Sequence, residues 1–184
     1  MTPHGGAVRL LVLLGVALAS GGPLHFISDS LRLTHGSIAD ELELKLPAVG
    51  LHPLFSSVLQ SINNSCLKQN DAQLINATLD VYTRIFSSIL PHGHHKTHGK
   101  GHASGLLEDL PEPKRSKVTS ALKELKKLLD DLKRHLNRPV NDNKEAVLRE
   151  LSEMQVDDTM VQRKALAEFI EVYQAASVVS SYKC

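Results

Sequence analysis

The stretch that decides the fold is residues 157–179, DDTMVQRKALAEFIEVYQAASVV, which contains neither glycine nor proline. Its apolar residues recur at intervals of three and four, the period of one face of an α-helix. A second apolar stripe, Leu166, Ile170 and Tyr173, runs beside the first. A helix with two apolar stripes should be enclosed by its neighbours on several sides. The first stripe consists of Val161, Ala165, Phe169, Val172, Ala176 and Val179.

The polar residues of this predicted helix form a narrow strip through Lys164, Glu168 and Glu171. Asp157 or Asp158 is expected to cap its start, because a short carboxylate accepts hydrogen bonds from the first free N–H groups. Carboxylates elsewhere in the chain are spread along predicted helix surfaces, where solvation is the ordinary interpretation of a charge.

Residues 161–172, VQRKALAEFIEV, resemble the last-helix signature of the interferon-gamma (type II interferon) family. That signature is Gln-x-Lys-Ala, then Glu after two further residues, then an apolar pair. Upstream of it, the resemblance consists of helix order and helix lengths. The positions that carry the match are Gln162, Lys164, Ala165, Glu168, Phe169 and Val172.

The first 19 residues have the pattern of a secretory signal peptide. Arg9 is their one charged side chain, residues 10–19 are an apolar run of ten, and Ala17-Leu18-Ala19 gives small residues before a cleavage point. A bilayer span needs about 20 apolar residues, so we expect no membrane insertion. Residues 20–184 are then expected to form one secreted, extracellular domain.

Composition favours helices and excludes a nucleic-acid partner. Leu, Ala, Lys and Glu are plentiful and aromatic residues make up 4%. The 21 basic residues nearly balance the 20 acidic ones, and removal of Arg9 brings the formal charge to zero. No global field remains to attract a polyanion.

Periodicity predicts six helices, two of them short, and no strand. A first helix should start at Ser37, which looks like a capping box, with an earlier turn in residues 24–33 interrupted at His35-Gly36. Alternation of Leu42, Leu44 and Leu46 also suits a strand, but no partner strand is evident. The remaining predicted helices are residues 53–62, 71–90, 111–136, 141–154 and 157–179, and residues 47–53 and 92–105 are predicted loops.

The buried faces of these helices follow from the same spacing. We expect Leu54, Phe55, Val58, Leu59 and Ile62 to be buried in the second helix; Ile75, Leu79, Tyr82, Phe86 and Ile89 in the third; Val118, Leu122, Leu125, Leu129, Leu132 and Leu136 in the fourth; and Val147, Leu148, Leu151 and Met154 in the fifth. The predicted fold class is therefore all-α, a helical cytokine subunit.

No arrangement of residues predicts catalysis, and we expect neither enzymatic activity nor a cofactor. Imidazoles cluster in one glycine-rich segment and could bind a metal weakly, although the segment lacks the rigidity of a structural site. A secreted histidine-rich metal-binding protein is thus one alternative, and deletion of residues 92–102 would abolish its activity but not that of a cytokine. The cluster is His92, His94, His95, His98 and His102.

Two N-glycosylation sequons and two cysteines complete the candidate sites. The sequons begin at Asn63 and Asn76. Cys66 and Cys184 could pair within one chain or between two chains, because the sequence does not give the distance between them.

The resemblance implies a function and an assembly. It implies binding to a two-chain receptor of the class II helical-cytokine type, with antiviral and macrophage-activating signalling. It further implies that the first helix, the loop through residues 47–53 and part of the last helix face the receptor. An intertwined homodimer is expected because one chain offers few neighbours for both the double apolar face of residues 157–179 and the seam from Val118 to Leu136, and the resemblance implies the same assembly. Ala167 stands where some family members place a polar or histidine side chain against the receptor.

The chain also departs from the family. Interferon-gamma proteins commonly carry a basic run beyond the last helix, whereas only Lys183 follows Val179 here. Glycosaminoglycan binding through such a tail is therefore not expected. A bundle cytokine of the interleukin-10 type is a further alternative, but it normally needs intrachain disulfides near its start, which are missing here.

Overall fold

The computed structural model describes residues 27–62, 69–90, 105–136 and 145–181. Within these ranges every regular element is a helix and there is no strand, which confirms the predicted all-α class. Two four-residue helices bring the described number to eight instead of the six predicted. The helices are α1 (Asp29–Glu41), α2 (Pro47–Gly50), α3 (Ser56–Ser61), α4 (Gln69–Ile89), α5 (Gly105–Glu108), α6 (Glu112–Leu136), α7 (Glu145–Glu153) and α8 (Thr159–Ser181).

The last helix, α8, lies at the centre of the fold, in contact with α1, α2, α4, α5 and α6. Its predicted first stripe is buried apart from Val161, which is half-buried. In the second stripe Leu166 is buried, and Ile170 and Tyr173 are half-buried. Asp158 caps the helix, since its Oδ1 accepts hydrogen bonds from the backbone N–H groups of Met160 and Val161 at 2.7 and 2.9 Å.

The long helices α4 and α6 pack on each other and on α8, and together the three form the main core. Every residue predicted to be buried in α4 and α6 is buried. Four aromatic rings meet where α4, α8 and the start of α3 come together. The centroids of the contacting pairs are 5.1 to 6.4 Å apart, and the pairs are tilted or edge-to-face, arrangements that aromatic rings prefer. The four rings belong to Phe55, Tyr82, Phe86 and Phe169.

The prediction for the start of the first helix was wrong. α1 starts at Asp29, where Ser28 Oγ accepts a hydrogen bond from Leu31 N, and it continues through Gly36 without a break. Ser37 is not a cap, because its hydroxyl donates to Thr34 O inside the helix. Leu46 lies beyond the end of α1 and is 44% exposed.

Three loop boundaries also differ from the prediction. Residues 47–50, predicted as loop, form α2, with Pro47 at its first position. Pro53 does not begin a helix, since α3 starts at Ser56. Gly105 opens α5, whose Leu106 and Leu107 are buried. These short helices depend on the packing of one or two leucines or valines. A four-residue helix spans about one turn, so its sequence is too short to show a helical period.

The predicted faces of the two other helices are only partly buried. In the α3 region Phe55 and Val58 are buried, while Leu54, Leu59 and Ile62 are half-buried against the core. In α7 Leu151 is buried, while Val147, Leu148 and Met154 are half-buried. Arg84 of α4 donates hydrogen bonds to Leu151 O and Ser152 O and so satisfies carbonyls at the end of α7.

Candidate functional site

The signature residues of α8 lie on the sides of the helix that meet other parts of the chain. Lys164 and Glu168, one helical turn apart, both bind the backbone of the segment between α2 and α3. We call this segment, residues 51–55, the crossover loop. Leu51 and Lys164 are 113 residues apart in sequence, and so are Phe55 and Glu168. These long-range hydrogen bonds therefore hold the loop on α8.

Glu168 accepts two backbone hydrogen bonds from the crossover loop. Its Oε1 lies 2.6 Å from Leu54 N and its Oε2 lies 2.9 Å from Phe55 N. These N–H groups precede α3 and have no helical partner, so the carboxylate does for them what a capping side chain does. Burial raises the pKa of Glu168 above its ordinary value, although the two N–H groups and Lys164 act in the opposite direction.

Lys164 holds the other end of the crossover loop. Its Nζ donates to Leu51 O and His52 O, at 2.5 and 3.3 Å. His52 has a φ of 55°, in the left-handed region that non-glycine residues visit rarely. An ammonium bound to the carbonyl of that residue stabilises the turn at the point where the backbone is least favourable.

The other signature residues serve the core. Gln162 is fully buried, and its Nε2 donates to Ser88 Oγ and Val156 O. The carbonyl of Ala165 accepts a hydrogen bond from the buried Tyr82 hydroxyl at 2.7 Å, and burial raises the pKa of that tyrosine well above its ordinary value. Phe169 and Val172 are buried. Each signature position therefore has a packing or hydrogen-bonding role in this fold.

The elements that the resemblance assigns to receptor binding are brought together. Both α1 and α2 contact α8, and the crossover loop is bound to it. His35 of α1 adds a 2.7 Å contact between its Nε2 and Leu166 O. Leu46 and Leu51, which flank α2, are 44% and 60% exposed, and Ala167 is half-buried. We call the surface of residues 46–55, which carries the two exposed leucines and is bound to α8, the loop face.

Sequence reasoning missed the role of Glu168 and Lys164, because both were assigned to an ordinary polar strip. The available signal was their spacing of four residues on a helix that is otherwise apolar on most of its surface. The crossover-loop groups they bind are backbone atoms, which no side-chain pattern reveals.

Several predicted site residues lie outside the described residues. These are the five imidazoles of the histidine cluster, Cys66, Cys184 and Asn63. Asn76 lies in α4 and is half-buried. Within the described ranges no group of histidine, cysteine, aspartate and glutamate side chains is placed to hold a metal ion. None of the described helices combines the length and the apolar character needed to cross a bilayer.

Comparison with protein-family models, curated proteins and solved structures gives no match to this chain.

Proposed function

We propose that this protein is a secreted helical cytokine, similar to interferon-gamma, that binds a class II helical-cytokine receptor. Antiviral and macrophage-activating signalling is the outcome that the resemblance implies. The proposal rests on the signature in α8, on the signal-peptide pattern of residues 1–19 and on the all-helical fold.

The observation that carries the proposal is the attachment of the crossover loop to the signature residues. A receptor-binding surface must be held in one conformation before contact, since ordering it on binding costs affinity. Lys164 and Glu168 supply that order by binding four backbone groups of the loop. Leu46 and Leu51 are the exposed large apolar side chains next to this ordered backbone, and burying them against a partner would be favourable.

Substitution of one exposed leucine tests the position of this interface. Leu51→Ala removes an apolar side chain that is 60% exposed and should change stability little. If the loop face binds the receptor, affinity for a receptor ectodomain should fall about tenfold, or about 1.4 kcal/mol. Lys127→Ala, on the exposed side of α6, is the control and should leave affinity unchanged. Equal affinity of both variants would place the interface elsewhere.

Secretion is tested separately through the apolar core of the predicted signal peptide. Leu13→Arg combined with Val16→Arg places two charges in residues 10–19 and should retain the protein inside the cell. Normal secretion of this double variant would remove the argument for an extracellular role.

The resemblance also leads us to propose a two-fold homodimer. In the described residues the stripes of α8 and α6 are already covered within one chain, so their burial does not require a partner. The dimer proposal therefore depends on the resemblance alone. A two-fold particle would carry two copies of the loop face and could gather two receptor chains.

A further inference from the structure

We propose that Asn76 carries an N-linked glycan that can be attached only before α4 folds. The inference rests on the proposed secretion, since the transfer takes place in the secretory pathway. The sequon is Asn76-Ala77-Thr78, in the middle of α4. Three observations carry the inference: the directions of the two sequon side chains, the burial of Thr78 and the environment of the Asn76 amide.

The helical conformation separates the two side chains that a transferase must read. Successive residues of an α-helix turn by about 100°, so the directions of Asn76 and Thr78 differ by about 160°, nearly opposite sides of the helix. In an extended segment, residues two apart lie on the same side. An enzyme that holds the asparagine and the threonine together can therefore engage this sequon only when α4 is locally unfolded.

Thr78 is also withdrawn into the core. Its side chain is fully buried, and its hydroxyl donates a 2.8 Å hydrogen bond to Leu74 O. Access to this hydroxyl from outside requires that α4 leave its packing partners. Local opening of a core helix approaches the free energy of global unfolding, so the folded protein should be a very poor acceptor.

The Asn76 amide is arranged differently. The side chain as a whole is half-buried, and its Oδ1 is enclosed without a hydrogen-bond partner. Nδ2, the atom to which the sugar is joined, is not among the enclosed unpartnered atoms of the described residues. Asn76 is less enclosed than Thr78, so a glycan attached before folding would be carried at a partly exposed position of α4.

The transfer uses a lipid-diphosphate-linked oligosaccharide as donor. A bond forms between Nδ2 and C1 of the first sugar, and the bond between C1 and the diphosphate oxygen breaks. The diphosphate leaves with the electron pair of that bond, and the amide nitrogen loses one proton. No oxidant or reductant is involved.

Synthesis from the N-terminus leaves time for this reaction. Of the helices that α4 contacts, α6, α7 and α8 all follow it in the chain. About 100 residues separate Thr78 from the end of α8, which takes about 5–20 s at about 5–20 residues per second. A helix without its packing partners is marginal in water, so α4 should sample extended conformations throughout that interval.

Two arms test the inference on the full chain. In the first, the protein is expressed in a eukaryotic secretory host with Asn63→Gln, so that a shift in mass on peptide N-glycosidase treatment reports Asn76 alone. Thr78→Val, which keeps the shape of the side chain but removes the hydroxyl, should abolish the shift. A secreted Asn63→Gln chain without a glycan would overturn the inference.

In the second arm, residues 20–184 produced without glycan in bacteria and folded are incubated with microsomal transferase and its lipid-linked donor. A synthetic peptide of residues 71–84 is the matched acceptor. The peptide should accept the glycan more than about a hundredfold faster than the folded chain. Equal rates, or no transfer to the peptide, would overturn the inference. If no variant reached the medium, that result would contradict the proposed secretion. The second arm would still show whether the sequon at Asn76 accepts a glycan only when α4 is unfolded.

Discussion

At the scale of single residues, the carboxylate of Glu168 connects two parts of the chain that are distant in sequence. It accepts hydrogen bonds from two backbone N–H groups of the crossover loop. Glu171, three residues later on the same helix, is exposed. The two residues therefore differ in what they bind, although both belong to the polar strip of α8.

Glu168→Ala should destabilise the protein by about 1–3 kcal/mol, because it leaves two half-buried N–H groups without a partner. Glu171→Ala, the matched control, should change the free energy of unfolding by less than about 0.5 kcal/mol. Urea titrations at pH 7 measure both. Equal effects of the two substitutions would mean that Glu168 does not hold the crossover loop.

The pH dependence of stability offers a second test of the same carboxylate. Burial raises its pKa above the ordinary value of 4.5, so the folded chain holds this proton more tightly than the unfolded chain does. The part of its stability contribution that depends on the bound proton is therefore fully present below pH 4.5 and is lost as the pH rises through the folded pKa, whereas the hydrogen bonds from Leu54 N and Phe55 N remain.

Glu168→Gln removes this titration but keeps the size of the side chain. We expect the free energy of unfolding to fall less steeply above pH 4.5 in this variant than in the wild type, when urea titrations are repeated in steps of pH. Glu171→Gln should follow the wild-type curve. If the free energy of unfolding falls as steeply with pH in Glu168→Gln as in the wild type, the raised pKa does not belong to Glu168.

At the scale of helices, α1 shows a local weakness. Gly36 lies in its interior, where glycine is unfavourable because it loses the most backbone freedom on folding. A Cβ added there would meet no atom within 4 Å, and its φ is not positive.

Gly36→Ala should therefore stabilise the protein by about 0.5–1 kcal/mol. The midpoint of thermal or urea unfolding measures the gain. The control is Lys127→Ala, which introduces alanine at an exposed helical position without removing a glycine. It should change stability by less than about 0.5 kcal/mol. A destabilised Gly36→Ala variant would contradict the helical backbone at this position.

The long helices were predictable from the sequence, whereas the four-residue helices α2 and α5 were not. The stripes of α6 and α8 extend over about five turns and that of α4 over about four, so the period defines both the helix and its buried face. The start of α1 could not be predicted in this way, because His35 and Gly36 break the pattern while packing on α6 and α8 maintains the helix.

The candidate site was predictable only in outline. The resemblance assigned α1, residues 47–53 and α8 to one surface, and the residues Gln162, Lys164, Ala165 and Glu168 stood out as a signature. What Lys164 and Glu168 bind depends on the course of the chain more than 100 positions away, which no local pattern contains.

At the scale of the whole molecule, the proposed homodimer can be tested by mass. Light scattering of the deglycosylated mature protein under reducing conditions should give twice the mass of one chain, because reduction excludes a dimer linked through Cys184. The urea midpoint should rise with protein concentration, since folding would be coupled to association.

A monomer mass with a midpoint independent of concentration would contradict the dimer. Such a result would fit a core that one chain completes by itself, as the enclosure of α8 by five helices of the same chain allows.

The central claim is that the protein is a ligand of a class II helical-cytokine receptor. Its most direct test is the binding of purified mature protein to a panel of cytokine-receptor ectodomains by surface plasmon resonance. We predict saturable binding to a receptor chain of the interferon-gamma type, and about tenfold weaker binding by Leu51→Ala. Absence of binding to every class II ectodomain, by a protein whose unfolding remains cooperative, would contradict the claim.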